Sequence, residues 1–111
     1  MNIKFDHFVH FVDDLDSAVE VFRTRGFHVV YGGSHPMWGT YNALIYFGDC
    51  YLELISIEHE QIYEQAAKVP FTLHETYEKL GRRNGICRSA LRVQGIEAVA
   101  EVFKGTEFEY D

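Results

Sequence analysis

An internal repeat is the feature that most constrains the fold of this chain. The spacing i, i+3, i+4, i+7, which is typical of an amphipathic helix, occurs in two sets of apolar residues. These sets are Leu15, Ala18, Val19 and Phe22, and Ile96, Val99, Ala100 and Phe103. They lie 81 positions apart, and the same offset aligns Val12 with Val93. A constant offset indicates that one structural unit occurs twice.

The first copy of this unit is predicted to have a β-α-β-β-β order. Four short segments are rich in β-branched and aromatic residues, which is typical of strands, and the first helical set lies between the first two of them. The predicted strands are residues 5–12, 27–31, 40–47 and 51–57. We therefore expect an α+β fold in which residues 1–57 form one β-α-β-β-β module.

The remaining residues are predicted to form a helical connection and the start of a second module. Residues 58–85 carry apolar side chains at helical spacing around Leu73 and Tyr77, and a strand-like run follows at residues 86–93. The second copy reaches only the beginning of its second strand by Asp111. We expect residues 86–111 to be an incomplete module with unpaired strand edges, which favour pairing with a second copy of the chain as a homodimer.

Charge and hydropathy argue against two classes of partner. The 111 residues carry 17 acidic and 10 basic side chains, a net charge of −7, which disfavours nucleic acid and anionic membrane surfaces. No stretch approaches the roughly 18 apolar residues of a membrane helix, and the first residues contain no apolar signal segment. We expect a cytoplasmic protein with neither kind of partner.

Glu53 is the most unusual residue of the predicted strands. It lies between Leu52 and Leu54 in the most apolar strand, where a carboxylate is costly unless it is paired or bound to a metal. An ion pair with Arg88 or Arg92 would explain it structurally, and a binding site would explain it functionally.

Several motifs resemble the glyoxalase-like branch of the vicinal oxygen chelate superfamily. They are Asp6-His7, Asp14-Leu15, the stretch GGSHPMWGTYNALIYF from residue 32, and Tyr-Leu-Glu-Leu-Ile at residues 51–55. The resemblance implies paired β-α-β-β-β modules that form a cupped sheet. It also implies metal ligands on the first and fourth strands of a module, which places them at His7 and Glu53. Imidazole and carboxylate suit a divalent ion such as Zn, Mn, Fe or Ni.

The second module departs from this pattern. The offset places Arg88, which cannot bind a metal, at the position that corresponds to His7. Either two copies of His7 and Glu53 complete the metal site across a dimer, or the site binds its ligand without metal. In the second case Arg88 would anchor a carboxylate or phosphate of the substrate.

The bend at residues 32–42 supplies further candidates. His35 and Trp38 could place a titratable group and an aromatic wall at the mouth of the cup, although Trp38 could instead plug a short loop. Asn42 is a candidate substrate ligand or a partner for backbone groups of the bend. We predict Glu53 and His35 as catalytic residues, and Trp38, Asn42, Tyr51 and Arg88 as substrate-binding residues.

Three functions are consistent with these residues. The first is binding of a small oxygenated substrate with metal-assisted isomerase, lyase or dioxygenase chemistry at His7 and Glu53. The second is a metal-free, drug-sequestering module with aromatic walls at Phe11, Trp38, Tyr46 and Tyr51. The third is a structural dimerisation domain whose site has decayed.

Overall fold

A computed structural model describes residues 2–95, together with Glu97 and Glu101. Five strands and three helices follow one another in the order β1-α1-β2-β3-β4-α2-α3-β5. Their bounds are β1 Asn2–Phe11, α1 Leu15–Thr24, β2 Val29–His35, β3 Thr40–Phe47, β4 Cys50–Ile57, α2 Glu60–Ala67, α3 Leu73–Lys79 and β5 Gly85–Gln94. None of the helices in the described ranges is both long and apolar enough to span a membrane.

The strands form a single sheet in the order β2-β3-β4-β1-β5. The first strand lies parallel to β4 and antiparallel to β5, and the hairpins β2-β3 and β3-β4 are antiparallel. The predicted α+β class and the β-α-β-β-β order are confirmed. The parallel register pairs His7 with Tyr51 and Val9 with Glu53, so these four side chains lie on one face of the sheet.

The helix α1 covers the opposite face. Asp14 caps its N-terminus by accepting a hydrogen bond of 3.0 Å from the Ser17 N–H. Leu15 and Val19 are buried against apolar side chains of the sheet, namely Val29, Ala43, Ile45 and Leu54. This packing leaves the His7 and Glu53 face to the helical connection.

The helical connection covers part of that remaining face, which we call the cup face. Tyr63 of α2 and Tyr77 of α3 are buried against Phe11 and Ile55 of the sheet. The Phe11 and Tyr77 rings are stacked, with centroids 3.8 Å apart. The connection is therefore two packed helices that form one wall above the sheet.

The end of the second strand is a correction to the sequence prediction. We predicted that it ends at Tyr31, before Gly32 and Gly33, whereas β2 continues to His35. The two glycines fit within the strand because Asn42 of the neighbouring strand lies against them. A side chain at Gly32 would collide with the Asn42 side chain, and the Gly33 N–H donates to Asn42 Oδ1 at 3.0 Å. The pairing of β2 with β3 is shifted at this point, between Tyr31 and Gly33.

The division of the chain into modules stays a prediction. The strand predicted at residues 86–93 is confirmed as β5. The second copy of the apolar helical pattern, in residues 96–103, lies mostly outside the described residues.

Candidate functional site

His7 and Glu53 face each other on the cup face. His7 Nε2 lies 3.6 Å from Glu53 Oε1, and the two side chains are only 17% and 15% exposed. This distance is too long for a hydrogen bond. The imidazole nitrogen and the carboxylate oxygen are therefore close enough for a cation bound between them to contact both.

Asp6, which is itself bound by Arg92, contacts the ring nitrogen of His7 that lies away from Glu53. Asp6 Oδ2 lies 2.7 Å from His7 Nδ1, and Arg92 donates to Asp6 Oδ1 from Nη2 at 2.6 Å and from Nε at 2.9 Å. The hydrogen bonds from His7 and Arg92 lower the pKa of Asp6, so its carboxylate is ionised and accepts the Nδ1 proton. In the neutral ring, the lone pair is then on Nε2, on the side of Glu53.

Asn42 and Tyr51 make the other contacts of the pair, Asn42 with Glu53 and Tyr51 with His7. Asn42 Nδ2 donates to Glu53 Oε2 at 2.9 Å, while Asn42 Oδ1 accepts from the Gly33 N–H. The Tyr51 ring stacks on the His7 ring at a centroid distance of 4.4 Å and an interplanar angle of 7°. Asn42 thus binds a backbone group of the bend and also contacts Glu53, while its role as a substrate ligand stays a prediction.

The donor set of this pair fits two ligands of a borderline divalent metal. His7 presents Nε2, and the Asp6 carboxylate on the other ring nitrogen is the support that metal-binding histidines commonly have. Glu53 presents Oε1 toward the same position. No group of three or more His, Cys, Asp or Glu side chains that could hold a metal occurs within the described residues. A metal here would need further ligands from outside this pair.

His35 and Trp38 belong to a second, neighbouring part of the cup face. They line a cleft of about 300 Å³ between the bend and α3, together with Thr40, Ile55, Thr72, Leu73 and His74. His35 Nδ1 lies 2.9 Å from Thr40 Oγ1, and His74 Nε2 lies 3.0 Å from the Trp38 carbonyl oxygen. The lining of this cleft is mainly apolar.

The structure separates the predicted site residues into three groups. His7, Asn42, Tyr51 and Glu53 lie together, and His35 with Trp38 lines the cleft. Arg88 of β5 forms the third group. It is paired in register with Val9, the residue that is also paired with Glu53, and its Nη2 donates to the Phe71 carbonyl at 2.7 Å.

Three contributors were missing from the sequence prediction. Asp6 was noted only as part of a motif, Arg92 only as a possible partner for Glu53, and His74 carried no motif at all. The acidic residue directly before a strand histidine was the signal that could have identified Asp6. For His74 there was no local signal, because it reaches the cleft only when α3 packs on the sheet.

Burial of two histidines predicts a loss of stability in mild acid. Burial lowers the pKa of His10 and His74 below the usual value of about 6.5, so the folded chain binds fewer protons than the unfolded chain as the pH falls. Their contribution is complete above about pH 6.5 and decreases below it. Urea unfolding at pH 7 and pH 5 should show a smaller free energy of unfolding at pH 5, and His74→Gln should reduce this difference. An unchanged free energy between the two pH values would contradict it.

Comparison with known proteins identifies the family of the chain. The model of a family described as a glyoxalase-like domain matches residues 5–109. The chain belongs to this family. The resemblance to the vicinal oxygen chelate superfamily that the motifs indicated is therefore confirmed, and the glyoxalase-like fold accounts for the cupped sheet.

Solved structures with this glyoxalase-like fold include proteins of known and unknown activity. A hypothetical protein from Staphylococcus aureus is 27% identical, with a TM-score of 0.82 over 93% of this chain. The chain spans only 41% of the length of that protein. No curated protein matches the sequence at a significant level.

Two methylmalonyl-CoA epimerases share the fold at lower identity. A Streptomyces coelicolor variant in complex with 2-nitronate-propionyl-CoA is 23% identical, with a TM-score of 0.65, over 91% of this chain and 67% of that chain. The Mycobacterium tuberculosis enzyme is also 23% identical, with a TM-score of 0.63, over 90% of this chain and 61% of that chain. At this sequence identity, the similarity to the two epimerases shows a shared fold and nothing about activity.

Proposed function

We propose that this glyoxalase-like domain binds a small oxygenated molecule at the His7–Glu53 pair and assists an isomerase or lyase reaction on it with a divalent metal. The observation that carries the proposal is the convergence of His7 Nε2 and Glu53 Oε1 on one position, with Asp6 and Asn42 holding both side chains. A partly buried imidazole and carboxylate arranged in this way are typical of a binding or catalytic site.

Each residue of the pair has a defined part in this proposal. Asp6 keeps the proton of His7 on Nδ1, so that Nε2 stays available as a ligand. Asn42 keeps Glu53 Oε2 occupied, which leaves Oε1 free to bind the metal or to accept a proton from the substrate. A bound metal would supply Lewis-acid stabilisation of a developing oxyanion.

The cleft has a part in substrate binding. His35, which we predicted as catalytic, lines the cleft with Trp38, and we propose that both contact the substrate there. The epimerase names of two structural neighbours are in keeping with an isomerase reaction.

Metal content tests the proposal directly. Untagged protein purified without chelator should contain about one divalent ion per chain or per two chains, measured by mass spectrometry. His7→Ala should lose the metal, and His28→Ala should retain it, because His28 is an exposed histidine that precedes β2 and lies outside the sheet. A wild-type protein that stays metal-free after loading would refute the metal-assisted reaction.

A metal-free binding module is the second candidate function. The apolar cleft beside Trp38 favours it, since aromatic walls bind ligands without metal. The same measurement separates the two functions, because ligand binding that persists in metal-free protein would support the module.

The dimer is proposed as the source of the missing ligands. A second copy of His7 and Glu53 would raise the number of protein ligands from two to four. Sedimentation with and without chelator tests this. A monomer that keeps its metal would contradict a shared site.

A further inference from the structure

We propose that the ligand of this site is an uncharged molecule with a hydroxylated end at Glu53 and an aromatic ring in the cleft beside Trp38. The hydroxylated end of the ligand rests on the proposed function of the His7–Glu53 pair, and the aromatic ring is inferred from the geometry of the cleft.

The polar pair and the cleft are neighbours on one face of the sheet. Ile55 lines the cleft and lies two residues after Glu53 on β4, which corresponds to roughly 7 Å along a strand. Asn42, which donates to Glu53, is paired in register with Ile55. A molecule of about the length of a phenyl ring with a three-carbon chain can therefore contact both parts.

The cleft has the size and lining of a site for one ring. Its volume of about 300 Å³ is at the small end of the range for ligand pockets. The ring centroids of Trp38 and His74 lie 5.5 Å apart at an angle of 48°, and Leu73 and Ile55 add apolar surface. Trp38 is still 42% exposed, so its ring is available for stacking or edge contacts with an aromatic ring of a ligand.

The charges around the polar end favour an uncharged ligand. In metal-free protein, the carboxylate of Glu53 accepts hydrogen bonds from hydroxyl groups but repels anions. The charge of Arg92 is paired with Asp6, and Arg88 donates to the Phe71 carbonyl. The chain as a whole carries a net charge of −7. An acyl-CoA ester, which carries several phosphate charges, is disfavoured here.

A set of matched probes tests the inference by ligand-observed NMR on the full chain, after any metal has been removed with a chelator. The main probe is 3-phenoxy-1,2-propanediol, which combines both ends, while glycerol carries only the polar end and anisole only the ring. We expect the main probe to bind at least about tenfold more tightly than glycerol or anisole, and more tightly than propionyl-CoA. Tighter binding of propionyl-CoA would overturn the uncharged ligand.

Variants at each end assign the two contacts. Trp38→Ala should weaken binding of the main probe about five- to tenfold, and Trp38→Phe should restore most of it, as expected for an aromatic contact. Glu53→Gln should weaken binding as well. Met37→Ala is the control, since Met37 is 83% exposed next to Trp38, and it should bind the probe like the wild type.

The outcomes distinguish this inference from the proposed function. If Glu53→Gln weakens binding and Trp38→Ala does not, the ring is not in the cleft, and the inference fails while the proposed function stands. If only Trp38→Ala weakens binding, the hydroxylated end is not at Glu53, and the inference fails, while the proposed function is decided separately by the metal content. Equal affinities of the three small probes would also overturn the inference.

Discussion

Gly39→Ala is expected to lower the free energy of unfolding by about 3 kcal/mol or more. Gly39 has φ +70°, a region that costs other residues roughly 1–2 kcal/mol. A Cβ there would also lie 2.5 Å from the His59 carbonyl oxygen and 2.6 Å from the Tyr63 nitrogen. Crowding of this kind typically costs a further 1–3 kcal/mol.

The bend cannot move away from this contact without losing its anchor. The Gly39 carbonyl accepts hydrogen bonds from the Glu58 N–H at 2.7 Å and from the His59 N–H at 3.0 Å, which ties the bend to the start of α2. Any shift of the bend would also displace Trp38 at the cleft. The glycine is therefore required by a close approach of two backbone segments.

Gly48→Ala is the matched control for this variant. Gly48 has the same φ of +70°, but nothing lies within 4 Å of a Cβ built there. Its replacement should cost only the conformational part, roughly 1–2 kcal/mol. Urea unfolding of both variants measures the difference between their losses of stability. Equal losses would show that crowding against α2 adds nothing to the cost of Gly39→Ala.

Glu53→Gln is expected to reduce metal affinity by at least about 100-fold with little change in stability. The amide oxygen of glutamine can still accept the hydrogen bond from Asn42, so the fold keeps this contact. The anionic ligand is lost, and even supporting residues of metal sites typically contribute 10- to 100-fold in affinity. Competitive titration with Zn²⁺ or Ni²⁺ against a chromogenic chelator measures the change.

A carboxylate on the opposite side of the molecule provides the control. Glu20 is exposed on α1, so Glu20→Gln removes the same charge from the chain without touching the cup face. Metal affinity should stay at the wild-type value in this variant. Similar losses in both variants would mean that overall charge, and not coordination by Glu53, determines metal binding.

The choice of partner for Glu53 shows how far sequence reasoning reaches. The strand period alone places Tyr51 and Glu53 on one face, and the family motif adds His7 to it, as the register confirms. Sequence did not distinguish a histidine partner from Arg88 or Arg92. That choice depends on the parallel pairing of β1 with β4, which brings together His7 and Glu53, two residues 46 positions apart in the sequence.

The second strand and the cleft show where local patterns fail. Two consecutive glycines and a proline predict a break, yet β2 continues because Asn42 on the neighbouring strand needs the space at Gly32. His74 carries no pattern of its own, and its place against Trp38 exists only because α2 and α3 pack on Phe11 and Ile55. Such contacts have no counterpart in nearby sequence.

By itself, the sequence determined the α+β class, the β-α-β-β-β order and the face on which Glu53 lies, because hydrophobic periods of 3.6 and 2 are local properties of the chain. Only the tertiary structure decided that His7 and Asn42 flank Glu53, that Arg92 binds Asp6, and that Arg88 donates to the Phe71 carbonyl. The physical reason is that charged and polar side chains find their partners across strands, through register and packing that no local pattern encodes.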